Sequence, residues 1–213
     1  MKFKNITYNQ IVDDLRTFDI ILMHGLLFSS RIIEIAEFSK WSHVGMVIRS
    51  EDIGLEKTLP AVLLWEATDY INLKDLILGI SKTGPMLVGL HDRIKANQTN
   101  KTDNVTAVRY LNTERTPAML EKLKKVIGEV HNTHLPSAPK LIQNLFKGRI
   151  LHEKINHDKF FFCSELITYT YKYVGLMPET LPSNALEPKD FAPHGYLPLL
   201  KRSTLSKEMY FEP

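Results

Sequence analysis

The chain has 213 residues with 44% hydrophobic and 24% charged side chains, which is the composition of a globular domain with one sizeable core. Its 27 basic and 24 acidic side chains leave a net charge of +3, and no stretch concentrates Lys and Arg enough for a phosphate-binding patch. These features argue against a nucleic-acid partner and predict one domain over residues 1–213.

The sequence begins with a predicted helix, a strand and a second helix. Residues 6–17 carry apolar side chains at helical spacing, which indicates a short amphipathic helix. The apolar run Asp19–Met23 is typical of a buried strand. Ser29 or Ser30 can then cap a helix that continues to about Ser39, because a serine oxygen satisfies an orphan backbone N–H group.

The run Phe18–Phe28 is the best candidate for a membrane or signal segment. Asp19 and His24 interrupt it, and it is much shorter than the roughly 20 residues that a transmembrane helix needs. The N-terminus also lacks a charged region followed by an apolar core and a cleavage site. We therefore expect a cytoplasmic protein without a transmembrane segment. Peripheral contact with lipid is compatible with this expectation. A single cysteine, Cys163, agrees with a reducing compartment.

The middle of the chain predicts several strands and then one well-marked helix. Thr116-Pro117 is typical of a helix start, a capping residue followed by proline at the first helical position. The predicted strands are Ser42–Ile48, Ala61–Ala67, Pro85–Leu90 and Val105–Leu111.

The last third of the chain predicts one more helix between two irregular segments. Residues 132–158 form a connection long enough to be a lid or rim. The helix that contains Cys163 should run to about Val174 and stop near Gly175, before an extended, proline-rich C-terminal tail. The whole order indicates an α+β fold, a mainly antiparallel sheet packed against helices.

Cys163 is the only cysteine, which excludes an internal disulfide and a multi-cysteine zinc site. It is either a buried core thiol or a nucleophile. The core interpretation is supported by the helical spacing of Cys163 with Leu166, Ile167, Thr170 and Val174. The nucleophile interpretation is supported by its place at a helix start, where the helix dipole favours a thiolate.

His43 and Glu66 are the residues that favour the nucleophile. His43 begins an apolar strand, and Glu66 lies inside the apolar run Val62–Ala67. An unpaired buried carboxylate is costly, and a histidine on a neighbouring strand is a natural partner. Such a carboxylate would fix the imidazole tautomer and stabilise its charged form. Alone, a histidine at the start of an apolar strand is more often structural, and Glu66 could equally be a strand-edge residue that points at solvent.

Four short blocks carry a resemblance to a known family. Asp19-Ile20-Ile21-Leu22, the Ser-His-Val-Gly block at Ser42, Trp65-Glu66-Ala67 and the Phe-Cys-Ser-Glu-Leu block around Cys163 resemble the YiiX-like permuted papain-fold cysteine hydrolases. These belong to the circularly permuted branch of the NlpC-type peptidase superfamily, in which the histidine strand precedes the cysteine helix. The resemblance implies a circularly permuted papain-like fold over about residues 18–175. The family has glycine where this chain has Phe18.

The resemblance implies a Cys-His-Glu triad. Cys163 would be the nucleophile, His43 the general base and Glu66 its orienting partner, acting on a peptide, amino-acyl or acyl substrate through an acyl-enzyme. The backbone N–H of Cys163 would stabilise the oxyanion. Tyr110 and Trp41 are candidates for a further side-chain donor, and Asp19 is expected to be structural.

The other histidines raise the question of a metal site. His131 and His134 are three residues apart, and His152 and His157 are five apart. No aspartate or glutamate completes a recognisable metal motif with them. We therefore expect no metal and no cofactor.

Three functions compete for this sequence. The first is a thiol hydrolase that cleaves amide bonds of the peptide or peptidoglycan type. The second is a lipid-directed acyl hydrolase or acyltransferase, acting on an ester or thioester. The lecithin:retinol acyltransferase-like proteins share the histidine-first order, but their cysteine block typically reads Asn-Cys-Glu-His-Phe. The third is a non-catalytic binding module on the same fold, against which the retained Cys, His and Glu argue.

Overall fold

A seven-stranded sheet forms the centre of the protein, in the computed structural model that describes residues 6–24, 40–98, 105–135, 143, 147, 161–200 and 202–213. Its strand order is β1-β9-β6-β2-β3-β4-β5, and every neighbouring pair is antiparallel except β1 and β9. The strands are β1 (Ile6–Thr7), β2 (Ile20–Met23), β3 (His43–Arg49), β4 (Val62–Thr68), β5 (Gly84–Gly89), β6 (Thr106–Arg109) and β9 (Met209–Glu212). A separate ribbon pairs β7 (Leu111–Asn112) with β8 (Thr204–Leu205).

Four α-helices lie in the described part of the chain: α1 (Tyr8–Ile11), α2 (Leu90–Gln98), α3 (Pro117–Val130) and α4 (Cys163–Val174). Thr116 caps α3, its hydroxyl accepting the Met119 N–H, as the Thr-Pro pair predicts. Gly175 ends α4 in the left-handed conformation at φ 84°. The prediction of an α+β fold with a mainly antiparallel sheet is confirmed.

The two faces of the sheet bury two apolar clusters. Helices α3 and α4 contribute to the cluster on one face, which also takes alternate residues of β3 and β4 such as Met46 and Trp65. Helices α1 and α2 contribute to the other, with Val47 and Leu64. The alternation of side chains along each strand therefore gives the sheet two covered faces. No helix among the described residues has the length and apolar character needed to cross a membrane.

Strand register identifies which residues share an end of the sheet. Met23 of β2 pairs with His43 on one side and with Thr106 on the other. Thr68 of β4 pairs with Gly84, and the β3–β4 register, Met46 opposite Trp65, brings the last residues of β4 beside the first residues of β3. We call this end, formed by Met23, His43, Thr68, Gly84 and Thr106, the His43 end.

Several expectations for the chain termini and connections are wrong. Residues 6–17 do not form one helix, because Ile6–Thr7 pair with the C-terminal strand and the helix that follows is a single turn. The C-terminal tail does contain short extended pieces, but one of them, Met209–Glu212, enters the central sheet and does not only wrap the surface. Helix α2 was not predicted at all. The predicted helix up to Ser39 and most of the predicted lid at 132–158 lie outside the described residues.

Candidate active site

Cys163 is the first residue of α4, as predicted. Phe162 precedes it in an extended conformation as the N-cap, so the Cys163 N–H group has no partner within the helix. The helix packs against β3 and β4, and the residue before the N-cap is anchored by a hydrogen bond from Phe161 N to His134 O at 2.9 Å. The Cys163 side chain is buried at 6% exposure and shares the apolar cluster of this face.

His43 and Glu66 form a fully buried pair. The Nε2–H of His43 donates to Oε2 of Glu66 at 2.5 Å, and both side chains are 0% exposed. The pairing follows from the register, because antiparallel β3 and β4 lie side by side and their first and last residues meet at the His43 end. With Nε2 engaged by Glu66, the remaining nitrogen, Nδ1, is the one left for Cys163, whose side chain interacts with His43.

The surroundings of His43 favour its charged form. Burial lowers the pKa of His43, but interaction with Cys163 and, next, the hydrogen bond and charge of Glu66 outweigh burial and raise that pKa to about 9. A charged imidazole beside the cysteine is the state that a thiolate–imidazolium pair requires. The structure thus brings together the three residues that the sequence singled out.

Arg93 is a fourth member of this cluster, and it was missed by the sequence reasoning. Its Nε–H donates to Oε1 of Glu66 at 2.6 Å, its side chain is 0% exposed, and its guanidinium lies 4.9 Å from the centre of the Tyr70 ring. The available signal was Glu66 itself, because a fully buried carboxylate has two oxygens to satisfy and one histidine satisfies only one of them.

Arg93 and His43 together hold Glu66 ionised. Burial raises the pKa of Glu66, but the charge of Arg93 and the hydrogen bond from His43 outweigh burial and lower it to about 2. The Glu66 carboxylate is therefore buried between two cationic side chains and not alone.

The two candidates for a side-chain oxyanion donor are wrong. Trp41 donates its Nε1–H to Oε1 of Glu208 at 2.7 Å, so this donor is already occupied. Tyr110 follows β6 at the end of the sheet opposite His43, where Arg109 pairs with Ile20, and it lines a separate cleft with Asp19 and Arg115. The backbone N–H of Cys163 remains the donor supported by the helix geometry.

Asp19 has the contacts of a structural residue. Its Oδ1 accepts hydrogen bonds from Leu111 N at 2.8 Å and from Arg115 at 2.9 Å, and its Oδ2 accepts one from Arg16 N at 2.8 Å. The preceding residue, Phe18, adopts φ 77°, a conformation that glycine enters more readily. Phe18 therefore occupies a position at which glycine would be less strained.

The histidines considered for a metal have other contacts or lie outside the described residues. Nε2 of His131 bonds to Oδ2 of Asp75 at 2.7 Å, and its ring stacks on Trp65 with centres 6.1 Å apart. His152 and His157 are not among the described residues. In the part of the chain that the structure describes, no three His, Cys, Asp or Glu side chains form a group that could hold a metal ion.

Comparison with known proteins adds no relative to this picture. No protein-family model matches the chain, and no curated protein matches it. The assignment of this site therefore depends on its own geometry, a helix-start cysteine beside a buried imidazolium that a carboxylate and a guanidinium hold in place.

Proposed function

We propose that the protein is a cysteine hydrolase that cleaves amide bonds through Cys163, His43 and Glu66. The observation that carries the proposal is the fully buried hydrogen bond between His43 and Glu66, on the ring whose other side interacts with Cys163. A core thiol needs neither a charged imidazole nor a buried carboxylate, and burying both is costly unless they are paired. The histidine-first order supports a circularly permuted papain-like arrangement.

The proposed reaction follows from these roles. The Cys163 thiolate attacks the substrate carbonyl carbon and forms a C–S bond, while the Cys163 N–H stabilises the oxyanion. His43 gives its proton to the leaving nitrogen as the C–N bond breaks. Water then attacks the resulting thioester, giving a proton to His43 as the C–S bond breaks, which releases the acid and restores the Cys163 thiolate and the protonated His43. Glu66 keeps the ring oriented, and Arg93 keeps Glu66 charged.

Alkylation of Cys163 by iodoacetamide at pH 6 tests the proposal. We expect a rate at least about tenfold above that of an ordinary thiol, since the greater thiolate fraction outweighs the lower nucleophilicity of a stabilised thiolate. His43→Ala should bring the rate down to the ordinary value. His91→Ala is the matched control, because His91 stacks on Tyr8 away from the site and should leave the rate unchanged. A wild-type rate equal to that of a free thiol would refute the proposal.

The acyl group that becomes attached to Cys163 distinguishes the substrate classes. Mass spectrometry of an adduct trapped on Cys163 should show a peptide or amino-acyl fragment if amides are cleaved. A fatty acyl chain on Cys163 would instead assign the protein to the lipid-directed acyl hydrolases.

A further inference from the structure

The connection between β4 and β5 exposes an unusual number of large aliphatic side chains. We call residues 70–83 the apolar loop. Four of its side chains are largely exposed: Ile71 at 59%, Ile77 at 45%, Leu78 at 41% and Ile80 at 56%. Exposed aliphatic residues that are this close together in a chain mark a contact with a protein or a membrane more often than a bare surface.

Most of the tip of the apolar loop, residues 75–79, has its backbone N–H groups paired within the protein. The five backbone N–H groups of residues 75–79 all donate within the protein. Those of Ile77 and Leu78 donate to Oδ1 of Asp75 at 3.0 and 2.8 Å, and the other three donate to backbone carbonyls at 2.8 to 2.9 Å. A segment whose N–H groups are satisfied internally can enter a lipid headgroup region without the cost of unpaired donors.

The charges of the apolar loop favour an anionic surface. Within residues 70–83 the single acidic residue, Asp75, is fully buried and paired with His131, and Asp69, just before the loop, is partly buried. Lys74 is exposed, and Lys82 is half-buried with its ammonium against the carbonyls of Pro85 and His131. Aliphatic side chains beside lysines are the composition of a segment that lies on anionic lipid.

The composition argues against a protein partner. Buried centres of protein interfaces are enriched in aromatic residues, methionine and arginine. The apolar loop has none of these among its exposed side chains, since its only aromatic residue, Tyr70, is partly buried against Arg93.

The two ends of the apolar loop lie at the same end of the sheet as the candidate active site. It leaves β4 after Thr68 and returns to β5 at Gly84, and both residues belong to the His43 end. Its Asp75 also bonds to His131, next to the segment whose His134 carbonyl holds Phe161 before the Cys163 helix. Asp75 and Leu76, just before the exposed side chains of the tip, bind Leu87 in the middle of β5, so the tip extends from the His43 end along the edge of the sheet.

We propose that the apolar loop docks the protein on an anionic lipid surface, with Ile77, Leu78 and Ile80 inserted among the headgroups and Lys74 against lipid phosphates. The consequence for catalysis, that the bond cleaved is held at a membrane, rests on the proposed hydrolase function. The docking itself does not.

Co-sedimentation with phosphatidylcholine vesicles, with and without phosphatidylglycerol, tests the docking. The wild-type protein should sediment with the vesicles that contain phosphatidylglycerol. The double variant Ile77→Ser/Ile80→Ser should lower the partition coefficient at least about tenfold, because two largely exposed aliphatic side chains no longer contribute. Lys74→Gln should lower it about fivefold, and only for the anionic vesicles.

Leu200→Ser is the matched control, since Leu200 is a similarly exposed aliphatic residue, at 40%, outside the loop. It should leave the partition coefficient unchanged, and circular dichroism should show that all variants keep the wild-type fold. Wild-type protein that stays in the supernatant overturns the proposal, as does an equal loss with Leu200→Ser. A dimer in light scattering that Ile77→Ser/Ile80→Ser dissociates would assign the loop to a second copy of the chain instead.

The Cys163→Ala variant separates this inference from the proposed function. It should sediment like the wild type, because the thiol is not part of the loop. Vesicle binding combined with an ordinary alkylation rate would overturn the hydrolase and leave the docking standing. Rapid alkylation without vesicle binding would overturn the docking and leave the hydrolase standing.

Discussion

Glu66 is the residue on which the candidate site depends, because it lies between two cations in a fully buried place. One oxygen accepts from His43 at 2.5 Å and the other from Arg93 at 2.6 Å. Removing either cation leaves a carboxylate partly uncompensated in a medium where water cannot reach it. The orientation of the His43 ring is therefore coupled to Arg93 through Glu66, which both side chains contact.

Replacing Arg93 by methionine tests this coupling. We expect Arg93→Met to lower the free energy of unfolding by about 3–5 kcal/mol, the cost of breaking a buried ion pair. The pKa of Glu66 should rise once the guanidinium is gone. As pH is lowered, the alkylation rate of Cys163 should therefore begin to fall at a higher pH in the variant than in the wild type. Urea unfolding and a pH series of alkylation rates measure the two effects.

The double variant Glu66→Gln/Arg93→Met completes the cycle, and we expect it to be less destabilised than the sum of the single variants. Lys95→Met, an exposed change on the same helix, is the control and should stay within about 0.5 kcal/mol of the wild type. A fully additive cycle would mean that Arg93 and Glu66 do not act as a pair.

Three of the four residues of the candidate site, Cys163, His43 and Glu66, could be singled out from the sequence. An embedded carboxylate, a histidine at a strand start and a cysteine at a helix start each have a local signature. Arg93 has none, because α2 is a mostly polar helix and an arginine in it is ordinarily exposed. The partner of Trp41 could not be predicted either, because Glu208 is distant from it in the chain.

At the scale of elements, local chemistry predicts the ends of helices better than the presence of short strands. The Thr-Pro start of α3 and the Gly175 end of α4 are set by capping and by glycine conformation. Strands β1 and β9, in contrast, exist because Ile6 pairs with Phe211 across the whole length of the chain. Strand β1 has only two residues, which is too short for a hydrophobic pattern that would predict a strand or its partner.

Gly84 gives a test of how the elements around the site are held together. It adopts φ 98°, and a Cβ at this position would lie 2.8 Å from the carbonyl oxygen of Thr133 and 2.9 Å from Cα of His134. Gly84→Ala should therefore cost about 2 kcal/mol or more in unfolding free energy, from backbone strain and from this contact. Alkylation of Cys163 should slow as well, because His134 anchors Phe161.

Gly128→Ala is the matched control for that substitution. Gly128 lies within α3 and nothing would approach its added methyl group within 4 Å, so alanine there should stabilise the helix by about 0.5–1 kcal/mol. Thermal unfolding of both variants gives the comparison. Equal effects at the two glycines would contradict a tight approach at Gly84.

At the scale of the whole molecule, the two ends of the sheet differ: one carries the candidate active site and the other is held by structural hydrogen bonds. The His43 end carries the candidate active site and the two ends of the apolar loop. At the opposite end, the Asp19 carboxylate accepts hydrogen bonds from Arg16, Leu111 and Arg115, which ties the turn before β2 to the β7 ribbon. Tyr171 of α4 adds a hydrogen bond to the Phe18 carbonyl at 2.5 Å.

Asp19 should make the stability of the protein depend on pH in a window away from the catalytic groups. Burial raises the pKa of Asp19 to about 6, against the hydrogen bonds from Leu111 and Arg16 and the charge of Arg115. Between the ordinary value near 4 and about 6, the folded protein then binds more protons at this site than the unfolded chain does. The free energy of unfolding should therefore fall as pH rises through this window, by up to about 3 kcal/mol.

The Asp19→Asn variant should lose this slope, because asparagine does not titrate. Glu66 does not contribute in the window, since its lowered pKa confines its effect to pH values below about 4.5, where stability is lost as pH falls. Urea unfolding of the wild type and of Asp19→Asn at several pH values from 4 to 6.5 measures the difference between the two slopes. Parallel curves for the two proteins would show that the Asp19 carboxylate is held in its charged form by Arg115 more strongly than it is disfavoured by burial.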